Sequence, residues 1–162
     1  MKKKVLNVLF VLFFILYFFL LNYFRNMDTD MMYIFGMSSS FAEGLIPYND
    51  FNMVITPLYI SILALFLKIL GNNTIIYYLV AAIVPASITF LVNKKNKYIT
   101  PFFVMILSFI SFPNYNLFAL LLFFIILKLE YEKKNDYLIG LLLGLMFLTK
   151  VSLAFFAVIP TA

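Results

Sequence analysis

The sequence predicts an all-α protein: a polytopic transmembrane helical bundle of about five spans, with two juxtamembrane helices in a long first outer loop. Three observations carry that prediction. The 162-residue chain is 65% hydrophobic and only 12% charged, with a mean hydropathy of +1.04, more apolar surface than a soluble domain can cover. Its apolar residues fall in long runs. Its basic residues group in the links between those runs. Trp, Cys and His are absent, which removes thiolate and imidazole sites, disulfides and a histidine base. Acid–base chemistry is left to Asp, Glu, Lys or Tyr. The net charge of +5 does not point to nucleic acid, because the basic residues cluster in loops.

The first span follows a basic start. Met1–Lys4 precedes the apolar run Val5–Phe24, which is long for a signal peptide, is followed by no small-residue cleavage site and is succeeded by further runs. It reads as a helix with a cytoplasmic N-terminus. The run Met53–Leu70 is long enough to span, but charge argues otherwise. If it spans, Lys2, Lys3, Lys4 and Lys68 lie inside while seven of the other basic residues lie outside. If it does not, everything downstream flips, and only Arg25 and Lys68 are left outside. Positive charge favours the cytoplasmic side, so Met53–Leu70 is expected to lie at the outer interface or to re-enter. Residues 98–129 would make one helix of roughly 48 Å, too long for a hydrocarbon core of about 30 Å. "PNYN" (113–116) divides them in two. The expected spans are therefore 5–24, 74–93, 98–112, 117–129 and 137–158, with an outer loop over 25–73.

That loop holds the four acids not assigned to the cytoplasm: Asp28, Asp30, Glu43 and Asp50. Asp28, Thr29 or Asp30 can cap a helix, and Gly44 suits its stop. Between them the pattern predicts a short amphipathic helix at the membrane surface. A turn, "GLIPYNDF" (44–51), follows, and Pro57 opens the interfacial helix "PLYISILALFLKILG" (57–71).

An aspartate just after the first span, a short helix, "G-x-x-P-Y-x-D-F", "P-L-Y" and an apolar stretch ending in Leu-Gly together resemble the C-type superfamily of membrane glycosyltransferases. The branch most similar is that of the protein mannosyltransferases and aminoarabinose transferases. "GLLLGLMFLTK" (140–150) also resembles that family's fifth helix. The resemblance implies transfer of a sugar from a polyprenyl-phosphate donor to a lipid, glycan or protein acceptor at the outer face of the cell membrane. It also implies an outer-loop aspartate as base or acceptor-orienting group, and it implies that these residues form the N-terminal part of a longer enzyme.

The candidate catalytic residues are Asp28 and Asp30. A hydroxyl nucleophile must lose its proton as the lipid phosphate departs, and a carboxylate can take it. One of the two is expected to serve only as a helix cap, and Asp28 aligns better with the family aspartate. A D-x-D pair can also hold a divalent metal, though two carboxylates alone form an incomplete ligand set, and no other cofactor is implied. Lys150, in the outer part of the last span, is a candidate for the carrier phosphate, because an intramembrane lysine is costly. Its alternative is to snorkel. The shared-site expectation puts Lys150 in one cavity with the two aspartates. Asp50 and Tyr48 are candidate sugar or acceptor contacts, against plain turn and interface roles. Arg25 is a further phosphate candidate that could simply flank its helix, and Tyr59 either stacks on sugar or anchors at the interface. Gly140 and Gly144 form a G-x-x-x-G suited to helix packing. Two competing functions remain open: a multi-pass transporter or lipid flippase, which would set polar groups facing each other at mid-bilayer, and a non-catalytic membrane subunit.

Overall fold

A computed structural model describes residues 2–25, 27–110, 114–132 and 136–159. Among the described residues the chain is all-helical, with eight helices: α1 (Lys2–Tyr23), α2 (Thr29–Ala42), α3 (Pro57–Leu70), α4 (Thr74–Lys95), α5 (Thr100–Ile110), α6 (Tyr115–Tyr131), α7 (Asp136–Phe147) and α8 (Val151–Val158). Two of them, α1 and α4, are long and apolar enough to cross a bilayer; α3, α5 and α7 are apolar but shorter.

Polar caps set where the helices start. Asp28 caps α2 by accepting the Met31 N–H, Asn73 caps α4 by accepting the Ile76 N–H, and Asn114 caps α6 by accepting the Leu117 N–H. Each satisfies one of the four donors that a helix start leaves unpaired. Gly44, with φ +96°, takes up the left-handed turn after α2, a conformation that costs a glycine little.

Helix α4 is the hub, packing against α1, α3, α5 and α6. It runs antiparallel to α1. Phe10 and Phe90 lie 6.4 Å apart near one end, and Phe18 shares a buried cluster with Ala82 and Val84 nearer the other. The bundle therefore has two chemically different ends. One gathers the C-terminal end of α1, the starts of α4 and α6, and Asp28 and Asp30. The other gathers Lys94, Lys95 and Lys128. Lys133 and Lys134 lie outside the described residues, as does Pro113 of the "PNYN" break.

Helix α3 stays at the carboxylate end. Its buried Tyr59, Ile60, Leu63 and Leu67 share one cluster with Ile34 and Met37 of α2 and with Tyr77, Tyr78 and Val80 from the first turns of α4. Its 14 residues extend about 21 Å. Tyr59 is thus a core residue, 2% exposed and with its ring 5.5 Å from that of Phe118, and has neither of the roles expected for it.

The helix expected over 137–158 is in fact two. It stops after Phe147 and restarts at Val151, with Lys150 extended as the N-cap of α8. Nothing in "LTK" forbids a helix, so the cause lies elsewhere in the fold. The break frees carbonyls, and the start of α3 takes them up. The Thr56 hydroxyl donates to Thr149 O, and the Leu58 N–H donates to Leu148 O at 3.2 Å. Two incomplete helix ends satisfy one another across the fold. Among the described residues the G-x-x-x-G of α7 meets no partner helix: a methyl group at Gly140 or Gly144 would find open space.

Candidate functional site

A cavity of about 400 Å³ opens at the carboxylate end, lined by Asp28, Asp30 and Tyr33 of the α2 region and by Asn114, Tyr115 and Asn116 at the start of α6, with Val54 and Ile55 beside them. Its volume falls within the usual range for small-ligand sites. Local structure places each group. Asp28 precedes α2 by one residue, so its carboxylate faces the helix start, where Oδ1 accepts the Met31 N–H at 2.8 Å. Asp30 sits in the first turn and is exposed. Its carboxylate accepts no hydrogen bond from the described residues. A carboxylate in a first turn is also favoured by the helix dipole.

Lys150, from the far end of the sequence, lies against two residues of this cavity's wall. Its ammonium donates to Asn116 Oδ1 and lies 5.4 Å from the centre of the Tyr115 ring, both residues of the cavity wall. The helix break makes this possible. As an extended cap residue, Lys150 is held by its own N–H on Met146 O at 2.7 Å, and its neighbour Thr149 is fully buried. The two aspartates line the hollow together with Tyr115 and Asn116, and Lys150 touches it through those two wall residues.

The other candidates lie elsewhere. Asp50 closes its own turn: Oδ2 accepts the Ile46 N–H and Oδ1 accepts the Asn49 amide, each at 2.7 Å. Tyr48 occupies that turn with φ 68° and is 67% exposed. Neither lines the cavity. Arg25 donates through Nη2 to Ser108 O at 2.9 Å, near the last turn of α5, where a cation complements the dipole. It borders a separate surface hollow with Tyr17 and Phe24. Glu43 accepts the Asn72 amide at 2.8 Å, tying α2 to the link before α4. Burial holds the Tyr59 phenol well above its usual pKa, so it stays neutral and does not serve as a base near pH 7.

Two wall residues, Asn114 and Asn116, were absent from the sequence-based candidates, which treated "PNYN" only as a break. The available signal was two amides in the short polar link of an otherwise apolar stretch. Among the described residues no three or more His, Cys, Asp or Glu side chains cluster to hold a metal ion. No protein-family model, curated protein or solved structure matches the chain.

Proposed function

We propose that the chain belongs to a multi-pass glycosyltransferase of the cell membrane, with its N-terminus in the cytoplasm. It moves a sugar from a polyprenyl-phosphate donor to a lipid, glycan or protein acceptor at the outer face. One observation carries the reading: Asp28, Asp30 and the partners of Lys150 surround one cavity at the end of the bundle opposite Lys94, Lys95 and Lys128. The positive-inside rule puts the lysine-rich end in the cytoplasm, so the cavity faces outward at the level of the lipid headgroups. Side chains of α1 such as Leu6, Leu12 and Phe13, all more than half exposed, would then face hydrocarbon.

The geometry divides the labour. Asp28 spends one oxygen on the α2 cap, and Asp30 is the carboxylate left without a partner. Asp30 takes the proton of the acceptor hydroxyl as that oxygen forms its bond to the anomeric carbon. The bond from that carbon to the lipid phosphate breaks, and its electron pair leaves on the phosphate. The Lys150 ammonium meets the departing charge, and Asn116 holds the ammonium in place beforehand, which is where fixed electrostatic stabilisation contributes most. Tyr115 and Tyr33 offer ring faces and hydroxyl groups to the sugar.

The test is transfer from a polyprenyl-phosphate sugar by membranes carrying the whole protein. Asp30→Asn should lower turnover by ~10²–10⁴-fold, the usual contribution of a general base, while leaving insertion intact. Near-normal turnover in Asp28→Asn, Asp30→Asn and the double variant would sink the reading. Orientation has its own assay, made clean by the absence of cysteine. An impermeant thiol reagent applied outside should label Asn72→Cys and not Asn96→Cys; the reverse result would overturn the topology.

A further inference from the structure

Another cavity lies at the opposite end and belongs to no step above. It has a volume of about 480 Å³. Helices α5 and α6 both lean on α4 but scarcely on each other. They touch where the Phe103 and Phe124 rings meet edge to face at 6.0 Å. From there towards the lysine end they leave a groove walled by Val92, Phe103, Phe124 and Leu127. Its rim carries Lys94, Lys95 and Lys128, with Glu132 as the one carboxylate among the described lining residues. Three lysines against one glutamate leave an excess of two positive charges. Lys95 is held in position, its ammonium 3.3 Å from the centre of the Tyr131 ring, a cation–π contact bridging the ends of α4 and α6.

Lysines at helix C-termini usually point into water and complement the dipole. Here they edge an apolar groove instead. The order along the groove, cationic rim and then aromatic and aliphatic wall running towards the middle of the bundle, mirrors the order of groups in a phospholipid.

We propose that this groove binds an anionic phospholipid of the cytoplasmic leaflet. Its phosphate headgroup is held by Lys94, Lys95 and Lys128, and the upper part of an acyl chain lies against Phe103, Phe124 and Leu127. Basic pockets between membrane helices on the cytoplasmic side suit such headgroups, and each lysine near the surface favours them measurably. The inference rests on the membrane reading but not on sugar transfer.

The chain has no tryptophan, so a single introduced one reports its own surroundings. Ile99→Trp places it on the partly exposed lining of the groove; Leu12→Trp places it on the exposed face of α1. The 162-residue chain is reconstituted in phosphatidylcholine vesicles containing a minor fraction of bromine-labelled phosphatidylglycerol or, separately, bromine-labelled phosphatidylcholine. At Ile99→Trp the anionic lipid should quench at a mole fraction about fivefold lower than the zwitterionic one. Leu12→Trp should show no preference. Adding Lys94→Gln, Lys95→Gln and Lys128→Gln to Ile99→Trp should abolish the preference. Equal quenching by both lipids at Ile99→Trp would overturn the proposal, as would a preference that survives the triple lysine replacement. So would loss of the preference on adding millimolar inorganic phosphate, which would identify a small-anion site instead. If neither lipid quenches either tryptophan, the membrane reading itself fails, a result distinct from a failure of the groove.

Discussion

The two ends of the bundle hold their charged groups in opposite ways. At the carboxylate end the polar groups are fixed by backbone. Asp28 is tied to the start of α2, Asn114 to the start of α6, and Lys150 is an extended cap residue whose ammonium rests on Asn116. At the lysine end long flexible side chains surround a groove with an apolar wall, and only Lys95 is braced by a ring. Short side chains anchored to helix ends lose little freedom when they act, which suits chemistry that needs fixed geometry. Lysines on four-carbon stems adapt to a soft, variable ligand at an entropic cost. On the proposed reading, the difference separates a site suited to reaction from a site suited to holding a ligand.

The sharpest way to break this contrast is to loosen the packing behind each end. Ile60 is fully buried beneath α2 and α4. Ile60→Ala should cost about 2–5 kcal/mol by unfolding of the detergent-solubilised protein. Phe103, beside an existing cavity and only half-buried, should cost less on truncation to Ala. Equal losses would mean that the two ends are equally well packed.

Next in size is the lysine. Lys150→Gln should lower sugar transfer by ~10²–10³-fold, the usual cost of losing one preorganised group at a developing charge, with the unfolding midpoint little changed. If transfer is unaffected, the lysine is only a snorkelling or capping residue.

Asp28 and Asp30 can be separated by stability as well as by activity. Asp28→Ala removes the α2 cap and should cost about 0.5–2 kcal/mol, whereas Asp28→Asn caps as well as the native residue and should be close to neutral. Asp30→Asn should leave stability within about 0.5 kcal/mol. A large loss in Asp30→Asn would show that its carboxylate has a structural partner and would weaken its assignment as the base.

The smallest expected effect concerns the uncovered face of α7. A side chain at Gly144 meets open space, so Gly144→Ala should raise stability by up to about 1 kcal/mol, the helix-propensity difference between the two residues. A loss instead would mean that another helix or a second copy packs closely on that face, as a G-x-x-x-G pattern permits.

Much of this architecture was legible in the sequence, because its signals are local. The all-helical class follows from runs of apolar residues. The start of α2 follows from a polar cap before its run, at Asp28; Asn73 and Asn114 turn out to cap α4 and α6 in the same way. The end of α2 follows from Gly44 and its positive φ. The division into a carboxylate end and a lysine end was also readable, since charges near the ends of successive antiparallel helices must fall alternately on the two sides.

What only the tertiary structure decided are features made by residues far apart in the chain. The break at 148–150 has no proline or glycine to announce it. It exists because the Thr56 hydroxyl and the Leu58 N–H satisfy the carbonyls it frees, and no local propensity encodes a partner that distant. The same break turns Lys150 towards Asn116, so the meeting of Lys150's partners with Asp28 and Asp30 at one cavity depends on it. Tyr59 was misjudged for a related reason. An amphipathic aromatic near an apolar run is equally at home at an interface or in a core, and the packing of α3 between α2 and α4 decides between them. Sequence sets which segments become helices and which ends carry charge, through short-range sterics, capping and hydropathy. Which capped ends face each other, and so which charges share a hollow, is set by the mutual satisfaction of backbone groups that only the folded chain brings together.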